Sequence, residues 1–568
     1  MRLKQQDRPT EPNIETKTLR LAFVAQRPSD FVEMSRAAEA LSSRGYRVVI
    51  FYHPISQDLS ADQDVLSQLR RLERQNVTEP GEIILSEPPR IFRRRLWGAS
   101  SASRRSTADL AKNDQALLFW WREPPELAWL PKSARGWLRA RGFDDAYRSA
   151  ADLVVPTITV TKRGLMRSVR SLLRKVATAL RTALSLQDIK YNVLKFLFIV
   201  DIFKKNLKKF YSLLRSREVD VIILPEDVVG PVTPLYVKAG HELGIPTLIL
   251  PYTVANQEEA FQGLRSQPSY QLAHPGNRLM TLLSSKWRMS RDGVSLVRMP
   301  APYILGHSLT RTTPPDPWLM NSGFANCIAV ENEAMKAYYL KAGIKAAKLR
   351  VVGAVYDDQL ANYRAANEKE LPRVLRELNL TTDKPLLLIG GCPNQLASIV
   401  PACDFADMES IARFVMKSIQ PLQDVYQVVV RPHPNYPEFG PLCESFGAKS
   451  TMIDTARLVA LSSLYIAFAS ATLRWAIACC VPCINYDVFH YDYKEFAAVR
   501  GVFNVSEQEA FRNAIQALRP GSVAYEEARL ALEANEGYWG LLDGKSADRI
   551  SELIKELSTL KPVPRTAG

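Results

Sequence analysis

The strongest chemical signal in the sequence is an arginine and a histidine that directly follow a run of apolar residues. Residues 426–430 predict a buried parallel strand, and Arg431, Pro432, His433 and Pro434 come next. Because proline fixes φ and lacks a backbone donor, this loop is stiff. Guanidinium donates to phosphate oxygens in pairs, and imidazole can donate to phosphate or deliver a proton near neutral pH. The segment predicts a phosphate-binding loop; the alternative is a strand-ending turn in which His433 bonds to local backbone.

Two further loops are predicted to reach the same edge of the sheet. Gly390 and Gly391 follow an apolar strand, and glycine lets backbone approach a phosphate closely. Ser470 and Thr472 lie between a predicted strand and a predicted helix, where a hydroxyl and the helix N-terminus can attract a phosphate. Gly-Gly also occurs in ordinary turns, and either hydroxyl could simply cap the helix. If the strands are parallel, the three loops meet where open α/β sheets bind ligands.

Two acidic residues are the candidates for proton transfer. Glu226 and Asp227 follow the apolar strand 219–225, and Gly230 lies shortly after them. A carboxylate in this position can act as a general base on a hydroxyl, and the alternative is helix capping with exposure to solvent. We find no Asp-x-Asp in a strand-end loop, so no metal or other cofactor is predicted. Positive protein groups are then expected to neutralise a departing phosphate.

The elements that must position these residues form two α/β units. Strand–helix–strand patterns with short connections favour parallel, right-handed crossovers, which predicts two Rossmann-like domains facing a central cleft. The turn at 26–30 has no glycine fingerprint, so dinucleotide binding there is not expected. Residues 275–318 are predicted to be irregular. The predicted divisions are a disordered N-terminus at 1–18, a first domain at 19–360, a linker at 361–383, a second domain at 384–545, and a C-terminal helix and tail at 546–568.

The positive charge of the chain is concentrated in one segment of the first domain. The formal net charge is +15, and residues 161–217 hold fifteen Lys or Arg and two acids. Apolar residues recur there every three to four positions, which predicts a basic amphipathic helical insertion. Such a segment can bind an anionic membrane surface, or it can pack on the domain with a solvated basic face. Nucleic acid is not an expected partner, because no known binding module is visible.

The rest of the composition predicts a cytoplasmic protein. There is no run of about 18 or more apolar residues to indicate a membrane-spanning helix, and the polar start of the chain is unlike a secretion signal. The seven cysteines are an odd number without paired metal-binding spacing, which is typical of small buried residues in a reducing compartment. We therefore expect a cytoplasmic location, peripheral on the inner face of the cell membrane.

These motifs resemble those of the two-domain, GT-B-fold glycosyltransferases of bacterial surface polysaccharides. The sequence is most similar to enzymes that use CMP-sugars, the capsule Kdo transferases and bacterial sialyltransferases. It is more distantly similar to the CDP-glycerol glycerophosphotransferases of teichoic acid assembly. Those families carry an acidic motif ending in Gly, a His-Pro motif and a Ser/Thr motif. The corresponding residues here are Glu226 and Asp227 with Gly230, His433 with Pro434, and Ser470 with Thr472. The acidic motif departs from the usual form, because two valines precede its glycine.

The resemblance implies a metal-independent glycosyltransferase. It would move a sugar from a nucleotide donor, a CMP-sugar being favoured, to a hydroxyl of a glycan or lipid-linked glycan in capsule or lipopolysaccharide synthesis. The second domain would bind the donor phosphate, and His433 would also protonate the leaving nucleotide. Asp227, or failing that Glu226, would take the acceptor proton. Three alternatives remain open: a CDP-glycerol-type glycerophosphotransferase, a nucleotide-sugar epimerase, and a non-catalytic glycan-assembly scaffold.

Overall fold

The structure is a computed structural model that covers most of both predicted domains. It describes residues 18–53, scattered residues between 65 and 85, and then 186–251, 257–265, 267–322, 324–381, 383–396, 403–433, 436–492 and 494–559. The predictions for residues 1–17, for the basic segment at 161–185, for Pro434 and for the tail at 560–568 therefore lie outside the described residues. Helix and strand numbers count the described elements in chain order.

The first domain is built on a parallel sheet of seven strands. Its strands, with an inserted hairpin, are β1 (Arg20–Ala25), β2 (Arg47–Tyr52), β3 (Ile83–Leu85), β4 (Val221–Leu224), β5 (Thr247–Ile249), the hairpin strands β6 (Arg288–Arg291) and β7 (Val294–Val297), β8 (Cys327–Val330) and β9 (Leu349–Val351). The order in the sheet is β3-β2-β1-β4-β5-β8-β9. Phe23 of β1 lies opposite Ile50 on one side and Ile223 on the other. The strand order therefore reverses between β1 and β4, which is where such sheets open a ligand crevice.

Helices cover both faces of this sheet, which explains why its strands are continuous apolar runs. The helices of the first domain are α1 (Pro28–Ser42), α2 (Leu186–Ser216), α3 (Thr233–Leu243), α4 (Gln257–Gln262), α5 (Pro275–Leu283), α6 (Ala301–Thr310) and α7 (Glu333–Lys341). Phe261 of α4 packs in a separate cluster with Leu296 of the hairpin. From Leu186 onward the basic segment is one continuous helix. Phe203, Phe210 and Leu214 of α2 lie in the domain core, whereas Lys204 and Lys205 are exposed.

The prediction of irregular structure at 275–318 is wrong. This stretch contains α5, the β6–β7 hairpin and α6. The elements are short, nine residues for α5 and four for each hairpin strand, so the sequence shows too few repeats of any period to reveal them. They form an insertion between β5 and β8.

The second domain repeats the same plan with a six-stranded parallel sheet. Its elements are α8 (Val355–Ala365), α9 (Asn367–Glu377), β10 (Leu386–Gly390), α10 (Met408–Ile419), β11 (Gln427–Arg431), α11 (Phe439–Glu444), β12 (Lys449–Ser450), α12 (Thr455–Leu461), β13 (Leu464–Ala467), α13 (Leu473–Ala478), β14 (Cys483–Tyr486), β15 (Val502–Val505), α14 (Gln508–Ala517), α15 (Val523–Glu533) and α16 (Ser546–Thr559). The order in the sheet is β12-β11-β10-β13-β14-β15, with the reversal between β10 and β13. The predicted α/β fold of two Rossmann-like domains is confirmed.

Two helical segments connect the domains. The stretch predicted as a linker lies largely in α8 and α9, whose Leu360 and Val374 pack in one core with Leu388 of β10. The C-terminal helix α16 returns to the first domain, where Ile550 and Ile554 pack in its core. The chain therefore crosses between the domains twice. No helix in the described ranges is both long and apolar enough to cross a membrane.

Candidate functional site

The first two predicted loops of the second domain touch each other directly. The backbone N–H of Gly391 donates to the carbonyl oxygen of Arg431, with 2.8 Å between the two atoms. A Cβ added at Gly391 would lie 2.5 Å from the backbone nitrogen of His433, which is far inside contact distance. Glycine at this position is therefore required for the loop after β10 to pack against the loop after β11.

The third loop joins the same group through a chain of hydroxyls. A Cβ at Gly390 would lie 2.5 Å from the hydroxyl of Tyr465, so this glycine makes room for the tyrosine. The Tyr465 hydroxyl is 2.6 Å from Oγ1 of Thr472, which is 2.8 Å from Oγ of Ser470. The loops after β10, β11 and β13 thus form one contiguous surface at the carboxyl edge of the sheet. Because neighbouring strands are about 4.8 Å apart, His433 and Ser470 follow strands about 10 Å apart.

Ser470 and Thr472 are arranged differently from simple helix caps. Thr472 is the residue that precedes α13, but its side chain makes no capping hydrogen bond among the described residues. The helix has only six residues, so the field at its N-terminus is weak. The Ser470 and Thr472 hydroxyls bond to each other, and the Thr472 hydroxyl also bonds to Tyr465. Oγ of Ser470 in addition accepts the backbone N–H of Thr472 at 3.3 Å, so part of the predicted capping alternative is present. Both hydroxyls are partly exposed and can turn a donor towards a ligand at this edge.

Arg431 and His433 both belong to the loop that follows β11. Nε of Arg431 donates to the carbonyl oxygen of Ile453 at 3.0 Å, and one Nη donates to that of Pro432 at 2.7 Å. Arg431 therefore braces the loop, and its role as a phosphate ligand stays a prediction. His433 is half-buried rather than enclosed by the core, and its carbonyl oxygen accepts the N–H of Tyr436 at 2.9 Å.

In the first domain Glu226 lies at the topological reversal, opposite the end of β1. Its Oε2 is 2.6 Å from an Nη of Arg27, the second residue after β1, and Arg27 also pairs with Asp30 at 2.9 Å. Glu226 is buried, so the predicted alternative of solvent exposure is wrong for this residue. Burial raises the pKa of Glu226, and the Arg27 guanidinium acts in the opposite direction. Arg27 itself is 19% exposed, which places this ion pair at the edge of the domain.

Asp227 is also buried, but it faces a different part of the domain. Its Oδ2 accepts the N–H of Phe324 at 3.1 Å, and its backbone N–H donates to Oδ1 of Asn321 at 2.8 Å. Both partners belong to the segment that leads into β8. Within the part of the chain that is described, Oδ1 of Asp227 has no hydrogen-bond partner. Burial raises the pKa of Asp227 to about 6, although the N–H of Phe324 has a lowering effect.

A histidine holds the segment 226–231, which follows β4 and which we call the acidic loop. Nε2 of His307, on α6, accepts the backbone N–H of Gly230 at 3.1 Å, and its Nδ1 lies 2.9 Å from Oγ1 of Thr312. Burial lowers the pKa of His307 to about 3, so the ring is neutral and able to accept. Asn206 of α2 also donates to the carbonyl oxygen of Pro231 at 2.9 Å. The insertion and the basic helix therefore both fix the acidic loop.

One side chain from each domain donates to the same carbonyl oxygen. Asn332, which follows β8, donates through Nδ2 to the carbonyl oxygen of Trp539 at 2.9 Å. Arg474, which follows β13, donates through Nη1 to the same oxygen at 3.0 Å. Asn332 of the first domain and Arg474 of the second domain are therefore both hydrogen-bonded to the same atom. Side chains of the two domains thus meet at Trp539, which we call the junction, and the predicted central cleft stays a prediction.

Beside this junction lies a buried group of charges. Arg474 is 2.7 Å from Oδ1 of Asp357, and both side chains are almost fully buried. The Arg474 guanidinium also stacks over the ring of Tyr356, with 4.7 Å to the ring centroid, and the Tyr356 hydroxyl donates to Glu331. Burial raises the pKa of Glu331 to about 7, against the effect of the Arg474 charge. These groups connect the end of β8 with the second domain.

Several functional neighbours were not predicted from the sequence. The turn that holds Arg27 lacks glycine, although an arginine two residues after the first strand is itself a signal. Tyr465 lies inside an apolar strand, where a tyrosine is expected to be a packed core residue. His307 and Asn321 lie in segments without clear periodicity. Among the described residues no group of three or more His, Cys, Asp or Glu is arranged to hold a metal ion, and the absence of a metal requirement stays a prediction.

We expect the Asp227→Asn variant to become more stable relative to the wild type as pH rises. The folded wild type keeps the Asp227 proton up to about pH 6, whereas an unfolded chain releases it near about pH 4. Wild-type stability therefore falls by up to about 3 kcal/mol between these values, and asparagine cannot titrate. Urea unfolding at several pH values measures the difference between the two proteins. A difference that does not change with pH, or one that the exposed Asp424→Asn control reproduces, would contradict this account.

Comparison with known proteins finds similarity only at the level of solved structures. No protein-family model matches the chain, and no curated protein matches it. The UDP-GlcNAc 2-epimerase from Neisseria meningitidis, solved with UDP-GlcNAc bound, is 12% identical, covers 95% of this chain and 100% of that chain, and has a TM-score of 0.45. The corresponding epimerase from Methanocaldococcus jannaschii is 13% identical, with coverages of 95% and 100% and a TM-score of 0.44.

A polymerase is similar over a smaller part of the chain. The wall teichoic acid polymerase TagF is 12% identical, covers 60% of this chain and 74% of that chain, and has a TM-score of 0.39. At these identities and TM-scores the similarities carry no argument about substrate or reaction. Any assignment of activity must rest on the site itself.

Proposed function

We propose that this protein is a glycosyltransferase that uses a nucleotide-sugar donor. The observation that carries the proposal is the single surface formed by the Gly390–Gly391, Arg431–His433 and Ser470–Thr472 loops at the reversal point of the second sheet. Open α/β sheets bind nucleotides at this point. The surface carries the His433 imidazole and the Ser470 and Thr472 hydroxyls, which are groups that can donate to a phosphate.

Each side of the junction would then contribute one half of the reaction. On the donor side, His433, Ser470 and Thr472 would stabilise the negative charge that develops on the departing nucleotide. His433 could also protonate that nucleotide. On the acceptor side, a buried carboxylate would remove the proton of the attacking hydroxyl. The products are a new glycosidic bond and a free nucleotide.

We propose Glu226 rather than Asp227 as the general base. Glu226 lies at the reversal point of the first sheet and contacts the partly exposed Arg27. Asp227 contacts Phe324 and Asn321 inside the first domain, where it fixes the loop that carries Glu226. A general base must come within hydrogen-bond reach of the hydroxyl, and the contact of Glu226 with the partly exposed Arg27 is the reason for this choice.

Replacing Glu226 with glutamine should lower kcat by about 100-fold while leaving donor binding unchanged, because a general base typically contributes at least this much. Initial rates at saturating donor, with calorimetric binding of the nucleotide, measure both quantities. Asp227→Asn is the matched comparison, since it removes a neighbouring buried carboxyl of the same loop. Retention of full kcat in Glu226→Gln, or a larger loss in Asp227→Asn at equal stability, would reverse the assignment.

The acceptor and location follow the resemblance stated from the sequence. We propose a glycan or lipid-linked glycan hydroxyl of a bacterial surface polysaccharide as the acceptor, and a CMP-sugar as the preferred donor. The enzyme would work on the inner face of the cell membrane. A CDP-glycerol-type glycerophosphotransferase and a nucleotide-sugar epimerase use related donors, and the experiment below separates them.

The test begins with a thermal-shift screen of CMP, CDP, UDP and GDP. A ligand that binds only the folded state raises the melting temperature, by an amount equivalent to about 2.7 kcal/mol at 100 times Kd. The matching donor is then incubated alone and with a polysaccharide acceptor. Release of nucleotide that depends on acceptor supports the proposal. A sugar converted without acceptor would indicate an epimerase, transfer of glycerol phosphate would indicate the glycerophosphotransferase, and absence of any binding would indicate a scaffold.

A further inference from the structure

The insertion between β5 and β8 exposes an apolar face on α5. Leu279, Leu282 and Leu283, which we call the leucine patch, are 53%, 84% and 75% exposed. Their spacing of three and four residues places them on one side of the helix. The opposite side is anchored, since Met280 lies in the domain core and Asn277 is buried. The patch is therefore a fixed surface and not a frayed end.

The charge around the leucine patch is mostly positive, although Asp316 acts electrostatically on Lys286. Between Arg265 and Arg311 the sequence holds seven Lys or Arg and one acid, Asp292. Two of these cations flank the patch closely: Arg278 directly precedes Leu279, Lys286 lies three positions after Leu283, and both are exposed. Apolar side chains combined with surrounding cations match the boundary of an anionic bilayer, where acyl chains and negative headgroups meet.

The helix that carries the leucine patch is also connected to the acidic loop. Oδ1 of Asn277 accepts the N–H of Ala301, the first residue of α6, at 2.9 Å. The same helix α6 carries His307, whose Nε2 accepts the N–H of Gly230 at 3.1 Å. The patch is thus connected through two hydrogen bonds and helix α6 to the loop proposed to activate the acceptor. A surface that holds α5 against a bilayer would bring this loop close to the membrane.

We propose that the leucine patch and its flanking cations dock the first domain onto an anionic lipid bilayer. We propose a bilayer as the binding partner of the patch because the three leucines supply apolar contact. The insertion is also strongly basic, which fits negative headgroups. The surface lies outside the basic segment 161–217 and acts in addition to it. The inference deepens the proposed function, and rests on it, in one respect: docking would deliver a lipid-linked acceptor to the acidic loop.

Vesicle sedimentation of the full chain tests the proposal. The wild type should bind phosphatidylcholine vesicles that contain phosphatidylglycerol and bind pure phosphatidylcholine vesicles much more weakly. The L282E/L283E variant should bind the anionic vesicles at least about ten-fold more weakly, since it replaces inserted apolar groups with anions. The R278S/K286S variant should also bind more weakly and show less dependence on salt. Because the leucines are exposed, we expect L282E/L283E to keep the wild-type melting temperature. R278S/K286S also loses the hydrogen bond from Lys286 to the carbonyl oxygen of Pro314, so its melting temperature is measured alongside binding.

The matched control is Leu530→Glu on α15, because Leu530 is 55% exposed and lies far along the chain in the second domain. It should bind vesicles like the wild type. Equal binding by L282E/L283E and the wild type would overturn the proposal, as would equal wild-type binding to neutral and anionic vesicles. A wild-type dimer that L282E/L283E dissociates would show that a second copy covers the patch. Nucleotide binding, measured without vesicles, separates failure of docking from failure of the proposed function.

Discussion

Replacing Arg474 with methionine is expected to lower the free energy of unfolding by about 3–5 kcal/mol. Arg474 and Asp357 are 2% and 0% exposed, and Glu331 lies beside them. Methionine keeps much of the volume but leaves two buried carboxyl groups without their cation. A buried charge that has lost its partner is far more costly than an exposed one. Urea unfolding followed by circular dichroism measures the loss.

The pH dependence makes this prediction specific. Burial already raises the pKa of Asp357, and removal of Arg474 would raise it further, since the cation opposes that rise. The destabilisation should therefore be larger at pH 8 than at pH 5, where the carboxyl groups can take up protons.

The double variant R474M/D357N should lose less stability than R474M alone. The exposed pair Arg519–Asp424 supplies the control, because Arg519→Met should cost at most about 1 kcal/mol. Equal losses in the buried and exposed variants would contradict the account.

The His433→Ala variant is expected to lower kcat by about 1,000-fold with little change in stability. His433 is half-buried at the point where three loops meet, so its removal opens no large cavity. The loss is expected because the imidazole would both donate to the departing phosphate and supply a proton. Steady-state rates with a purified acceptor, together with the melting temperature, measure the two effects.

Two comparisons separate the possible roles of His433. The His433→Asn variant can still donate a hydrogen bond but cannot act as an acid at neutral pH. Partial activity in His433→Asn would indicate hydrogen bonding, whereas a loss equal to that of His433→Ala would indicate proton transfer. His274→Ala, at an exposed histidine of the first domain, should retain full activity. Undiminished turnover by folded His433→Ala would remove His433 from the mechanism.

The sequence was most informative about the parallel sheets. Apolar runs such as 386–389 and 427–430 predicted strands correctly, because a strand covered on both faces must be apolar throughout. The insertion at 275–318 was missed, because its hairpin strand β6 is polar and its helices are short. Local pattern is informative only when an element is long enough, or buried enough, to impose one.

For the site, the sequence identified groups but not their partners. The convergence of the loops after β10, β11 and β13 followed from their positions at strand ends, and the strand order agrees with it. The difference between Glu226 and Asp227 could not be predicted, since it depends on contacts with Arg27 and with Phe324, which are distant in the chain. Gly391 also has a packing role that the sequence did not reveal. Its lack of a side chain is needed for contact with His433, whether or not a phosphate binds.

The most direct test is calorimetric titration of the nucleotide that stabilises the protein most in the thermal-shift screen. It compares the wild type with the S470A/T472V variant, which removes both hydroxyls of the third loop. The account predicts that the wild type binds and that the variant binds at least about ten-fold more weakly, because two phosphate donors are lost. Equal affinity in both proteins, with both shown to be folded, would contradict a nucleotide site at the carboxyl edge of the second sheet.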